Sequence, residues 1–255
     1  MDDKRRETVR YNCVSDAVLR ARNWGALPSG KDTVPGYLRE PYEKFETEIN
    51  VGLSYFGPNP NVLELCAGTG NFTAIPVNSG AIVTATDIAV SALEVVRARY
   101  CESENLSVAV ADIERTGFAS ESFDMVMCAG GLSYGDNQLV LKEIVRLLKP
   151  GGVFVCVDSL NHNLFYRLNR FIHYVRGQRT ASTLRRMPTV ELINSYSDRF
   201  SSFGIWYFGC ASWAMPIVSR VVGVANATSF SRWVDRLFDV KYSAFKFVMT
   251  GRKTN

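Results

Sequence analysis

"VLELCAGTGNFT", residues 62–73, decides how this chain is read. A short apolar run, Val62 to Leu65, meets a loop with glycines at Gly68 and Gly70. Runs of this kind, bounded by glycine, read as strands buried in a parallel sheet. A dinucleotide fingerprint would place a third glycine at position 73, where Thr73 stands. No Gly-Lys-Ser/Thr follows either, so the loop does not match a nucleotide-triphosphate cradle.

Working outward, four more runs have strand length and strand composition: 81–87 "AIVTATD", 106–112 "LSVAVAD", 122–128 "SFDMVMC" and 152–158 "GVFVCVD". Helical patterns separate several of them, such as "AVSALEVVRARY" and "DNQLVLKEIVRLLKPGG", the latter starting on a cap at Asp136 and stopping at Pro150-Gly151-Gly152. Strands alternating with helices imply right-handed crossovers and a mostly parallel sheet. Two later runs, "FGIWYFG" and "YSAFKFVMTG", suit an antiparallel addition at the sheet edge.

Acids mark the ends of the first three runs: Glu64, Asp87 and Asp112. In open α/β sheets ligands bind outside the carboxyl ends of the strands. A nucleoside with a cationic amino-acid tail needs this set. Asp87 accepts from both ribose hydroxyls, and Asp112 accepts from the exocyclic amine of adenine. Glu64 orients loop and tail through water, while Gly68 and Gly70 let the backbone come close.

These stretches resemble the class I S-adenosylmethionine-dependent methyltransferases. The first motif of that family, an acid followed by spaced glycines, is matched by Glu64, Cys66, Gly68 and Gly70, with Cys66 replacing the first glycine and Ala67 beside it as a further donor-binding candidate. Asp87 and Ile88 in "TATDIAVSALE" match the second acid. Asp112 in "VAVADIE" matches the third, with Ile113 as the apolar neighbour of adenine. "FDMVMCAGGLSY", with Cys128 and Ala129, matches the fourth-strand motif and "LLKPGGVFVCVD" the fifth; together they cover about residues 55–160. The resemblance implies S-adenosylmethionine as donor and S-adenosylhomocysteine as product, bound by the residues just named. It also implies an α/β Rossmann-like three-layer sandwich with a seven-stranded, mostly parallel sheet and one antiparallel strand. Cys66 reads as a packing residue, since nothing near it in sequence would lower its pKa, and as tolerable in the loop if its φ is negative.

On the acceptor side, His162 lies four residues beyond the fifth run and is the favoured general base, with Asp158 and Asp136 as alternatives. The competing reading of His162 is a helix-start histidine bonded locally. Tyr134 either contacts donor or acceptor or steadies its loop. No metal is expected, because no HxxxH or carboxylate cluster occurs.

The 255 residues are 47% apolar, enough for one large domain with a cap. The expected division is a helical N-terminal lid over 1–57, with Tyr11, Trp24, Tyr37 and Tyr42, and a methyltransferase domain over 58–255 with an acceptor-side insertion at about 161–200. The net charge of +4 is local: residues 161–200 hold seven arginines and no lysine against Glu191 and Asp198. Arg170, Arg176, Arg179, Arg185 and Arg186 suit an anionic or phosphorylated acceptor. A general nucleic-acid binder would be basic more broadly.

Six scattered cysteines without a CxxC pair suit a reducing, cytoplasmic setting. The N-terminal "MDDKRRETVR" lacks the apolar core of a signal peptide, and "GIWYFGCASWAMPIVS" is interrupted by glycine and Pro216, so no transmembrane segment is expected. A homodimer remains open. The reading favours methylation of a small-molecule oxygen, a hydroxyl of a sugar or glycan precursor. The alternatives are a lipid-like, aromatic or amine metabolite, or a non-catalytic donor-binding partner subunit.

Overall fold

A computed structural model describes residues 3–237 and 240–255. Two helices lead, α1 (Asp3–Ala21) and α2 (Glu40–Leu53). Pro41 sits in the first turn of α2, where its missing N–H leaves no bond unmade. Alternation then begins: β1 (Asn61–Leu65), α3 (Ala74–Asn78), β2 (Ile82–Asp87), α4 (Val90–Arg99), β3 (Leu106–Val110), β4 (Phe123–Ala129), α5 (Asn137–Leu147) and β5 (Leu148–Ser159). Asp136 caps α5, its carboxylate accepting from the N–H groups of Gln138 and Leu139. The Pro-Gly-Gly stop lies inside β5, which follows α5 directly and absorbs the turn as a break in register.

Three helices follow, α6 (Leu164–Val175), α7 (Ala181–Arg185) and α8 (Val190–Ser197), then β6 (Ser202–Phe208), α9 (Met215–Val222), α10 (Val224–Leu237) and β7 (Lys246–Arg252). The strands form one seven-stranded sheet in the order β3-β2-β1-β4-β5-β7-β6. β7 alone is reversed, antiparallel to both β5 and β6, so the expected fold class is the observed one. Winding runs outward through β2 and β3, then restarts beside β1 at β4. That reversal opens a crevice at the carboxyl ends of β1 and β4.

Both faces of the sheet are covered, which is why its strands read as continuous apolar runs. On one face Leu63, Val126 and Phe154 pack against Ile144 of α5 and Ile193 and Tyr196 of α8. On the other, Val62, Val83 and Met125 pack against Phe45 and Ile49 of α2. Segment 1–57 therefore has two parts. α2 belongs to the layer beneath the sheet, whereas α1 touches α4 and reaches over the crevice.

Candidate active site

The crevice is a cleft of about 300 Å³ at the β1/β4 switch point. Its floor is the loop after β1, where Cys66, Ala67, Gly68 and Thr69 all line it. Gly68 has φ +55° and a Cβ added there would meet no protein atom within 4 Å, so bare backbone faces the cleft. Gly70 (φ +77°) faces the other way: a Cβ would lie 3.0 Å from the Tyr100 ring and 3.2 Å from Val96. It serves packing against α4 rather than approach to a ligand, which corrects the sequence reading of that residue. Cys66 is also in the left-handed region, at φ +54°, where a negative φ was expected. The neighbouring Cys128 thiol, then burial, push the Cys66 pKa up, so it stays a thiol. Cys128 itself is fully buried behind the cleft wall, with Ala129 and Gly130 at the surface.

Asp87 is buried at the end of β2. Its Oδ2 accepts from the Gly68 N–H and its Oδ1 from the Ala89 N–H, each at 2.9 Å. Burial raises its pKa, and these backbone donors oppose the shift. The carboxylate thus fixes the loop while still lining the cleft beside Ile88. Asp112 and Ile113 line the opposite rim. Glu64, buried under the loop, accepts from the Thr73 hydroxyl at 2.5 Å; burial pushes its pKa up to about 7.

A lid over 1–57 was expected from the sequence, but the contacts that hold α1 over the cleft were not legible there. α1 crosses the cleft and is tied to both sides. Lys4 Nζ reaches Asp112 Oδ2 at 2.6 Å, while Glu7 Oε1 accepts from the Thr183 hydroxyl at 3.2 Å. Tyr11 and Tyr134 share a hydroxyl contact of 2.6 Å, and Arg179 donates to Tyr134 Oη at 2.6 Å. Burial raises the Tyr11 pKa, so Tyr11 is a phenol. Arg99 and Tyr100 anchor the loop from α4, donating to the carbonyls of Thr69 and Gly70, each at 2.7 Å. None of these contacts joins residues close in sequence, and the aromatic Tyr11 was the one visible signal.

The acceptor-side candidates separate. Tyr134 lines the cleft. Asp158 is buried, accepting from the N–H groups of Leu132 and Ser159, and holds the turn after β4. Burial raises its pKa against the pull of Lys246. His162 Nε2 accepts from the Val190 N–H at 3.1 Å, at the start of α8, and its ring is edge-on to Tyr242. That nitrogen is engaged and outside the cleft, which is the local role rather than that of a base. Asp136 caps α5. Arg186 lines the cleft, whereas Arg170 is turned to Tyr166.

The donor fits these residues. The open side of Gly68, the buried carboxylates of Asp87 and Glu64, and Ile88 and Ile113 on the rim would offer it backbone contact, ribose acceptors, a partner for an ammonium and apolar faces for a base. Residues 63–156 match the family described as a methyltransferase domain. That segment is a methyltransferase domain. A demethylmenaquinone methyltransferase of Staphylococcus aureus is 37% identical over 101 residues, 38% of this chain and 42% of that protein. The chain thus spans about two-fifths of the length of such a relative. A geranyl diphosphate C-methyltransferase from Streptomyces coelicolor, solved with S-adenosylhomocysteine, shares the fold at TM-score 0.60 and 16% identity, over 84% of this chain and 80% of that one. A Haemonchus contortus phosphoethanolamine N-methyltransferase, solved with S-adenosylmethionine, does so at TM-score 0.56 and 19% identity, over 82% and 53%. S-adenosylmethionine is the cofactor of this methyltransferase domain.

Proposed function

We infer that the chain transfers the methyl of S-adenosylmethionine to a hydroxyl of a small anionic acceptor, such as a phosphorylated or uronic sugar of a glycan precursor. The observation that carries this reading is Tyr134. Its oxygen lies at the cleft and receives Arg179 Nη1 at 2.6 Å and Arg10 Nη2 at 3.4 Å. Arg10 also keeps a buried Nε without a hydrogen-bond partner.

S-adenosylmethionine supplies a methyl group already activated on sulfonium. The protein must then align an oxygen with it and exclude water. Tyr134, its oxygen held by Arg179 and Tyr11, faces the acceptor hydroxyl and orients it. The oxygen–methyl bond would form as the methyl–sulfur bond breaks, with the hydroxyl proton passing to water, while Arg179 and Arg10 hold the Tyr134 oxygen in place. Arg186 adds a guanidinium for the anionic group. α1 roofs the reaction.

The test uses labelled donor and a panel of sugar phosphates and uronic acids, with S-adenosylhomocysteine binding followed by calorimetry. Tyr134→Phe lowers kcat about a hundredfold, a loss much larger than its effect on donor affinity. Donor binding without labelled product on any sugar, lipid or amine acceptor overturns the enzymatic reading in favour of a donor-binding subunit. A lipid-like acceptor is the second reading. It is favoured by exposed apolar side chains on α6, which leads toward the α7 wall of the cleft.

A further inference from the structure

α6 is amphipathic in the sense opposite to that of a surface helix. At about 100° per residue, Leu164, Phe165, Leu168, Phe171, Ile172 and Val175 share one face. All six are exposed, Leu164 by 72% and Val175 by 68%. The other face carries Tyr166 and Arg170, and Tyr166 donates to Ser159 Oγ at 2.8 Å. The helix rests on the protein by its polar side and turns its apolar side to solvent, whereas helices of soluble domains bury that side. The apolar surface continues past α6. The Phe165 ring stacks on Trp213, centroids 4.0 Å apart and planes 17° apart. Trp213 leads into α9, where Ile217 and Val221, one turn apart, are 67% and 81% exposed. Contiguous apolar surface of this kind marks a binding face.

Charge identifies what covers it. Arg167 and Arg176 flank the apolar face of α6, one on each side, and Arg220 is exposed on α9. No acidic residue occurs between 159 and 190. An apolar stripe bordered by guanidinium groups matches acyl chains bordered by phosphates, with the arginine stems reaching back to the headgroups. Among the described residues no helix is long and apolar enough to cross a membrane, so the contact lies in the membrane plane.

We propose that the face formed by α6, Trp213 and α9 docks on an anionic phospholipid bilayer. Docking sets the acceptor side of the cleft against the membrane, because α6 runs on into α7, whose Ser182 and Thr183 line the cleft. The surface stands apart from the acceptor assignment, and its test needs no acceptor.

The full chain is sedimented with vesicles of equal phosphatidylglycerol and phosphatidylcholine, and with vesicles of phosphatidylcholine alone. Partitioning onto the mixed vesicles is expected to be at least about tenfold stronger and to fall with salt. Leu168→Glu combined with Val221→Glu lowers it about tenfold or more, while calorimetric binding of S-adenosylhomocysteine persists and shows that the variant is folded. Arg167→Ala with Arg176→Ala removes the preference for the anionic vesicles. Failure to sediment with the mixed vesicles overturns the proposal, as does sedimentation that the Leu168→Glu/Val221→Glu variant leaves intact. A dimer in size-exclusion chromatography that this variant splits, without vesicle binding, assigns the face to a second copy and overturns it too.

Discussion

The Lys4 ammonium on α1 lies 2.6 Å from Asp112 Oδ2 and 2.6 Å from Glu114 Oε2, so the roof of the cleft is pinned to the acid that faces adenine in our reading. Burial works against the ammonium, but the two carboxylates outweigh it and raise the Lys4 pKa. A partly exposed ion pair of this kind contributes about 1 kcal/mol. We expect donor exchange to require release of α1. Lys4→Met should speed dissociation of S-adenosylhomocysteine about fivefold in stopped-flow fluorescence. High salt should bring the unmodified protein toward the same rate. Identical rates in both proteins would mean that donor enters without moving α1.

Glu64 ties donor binding to pH. Its pKa is raised from 4.5 to about 7, so the folded protein holds a proton there that the unfolded chain has already lost. Between those values the native state binds more protons, and stability falls as pH rises through the window. The cationic tail of the donor prefers the ionised form. Donor affinity should therefore rise from pH 6 to pH 8, up to about tenfold, with a proton released on binding. Calorimetry in buffers of different ionisation enthalpy reads that proton. Glu64→Gln should flatten both trends, and a proton count unchanged in this variant would place the titration elsewhere.

His162 and Tyr134 should part company under mutation. His162 accepts the Val190 N–H at the start of α8, and Thr189 caps the same helix by accepting from the Leu192 N–H. Loss of one such acceptor costs about 1 kcal/mol. His162→Ala should lower Tm by a few degrees and keep kcat near that of the unmodified protein. In Tyr134→Phe, which gives up the contacts with Tyr11 and Arg179, Tm should also fall by a few degrees, but kcat should fall far more than that loss of stability explains. Loss of turnover in His162→Ala at unchanged Tm would restore His162 as a base.

The sheet was legible because burial on both faces leaves β1, β4 and β5 with no polar alternation to blur them. Asp87 stood out for a related reason: an acid at a strand end has little to do in a core, and the structure places it on the cleft. The contacts of the roof were not legible. Lys4 meets Asp112 across 108 positions and Tyr11 meets Tyr134 across 123, and no local pattern encodes either contact. The place of His162 outside the cleft was not legible, because position along the chain gives the end of the sheet but not the side-chain direction. Asn163 caps α6 immediately afterwards, and the imidazole turns to α8 instead of the cleft.

Three positions in one loop should respond differently to substitution, for reasons that only packing supplies. At Gly68 an added Cβ meets no protein atom within 4 Å but points into the cleft. Gly68→Ala should fold, lose about 1 kcal/mol to its positive φ, and lose donor affinity by far more than Gly70→Ala. At Gly70 the same atom falls 3.0 Å from Tyr100 and 3.2 Å from Val96, so Gly70→Ala should act chiefly on Tm. Cys66, already at φ +54°, should accept glycine: relief of backbone strain offsets the lost thiol contact, and donor affinity should stay within about twofold. Cys66→Val should be the costly change, since a β-branched residue is a poor fit for that backbone. Thermal melts and calorimetry on the four variants check the pattern. Gly68→Ala binding donor normally would mean that the loop does not face it.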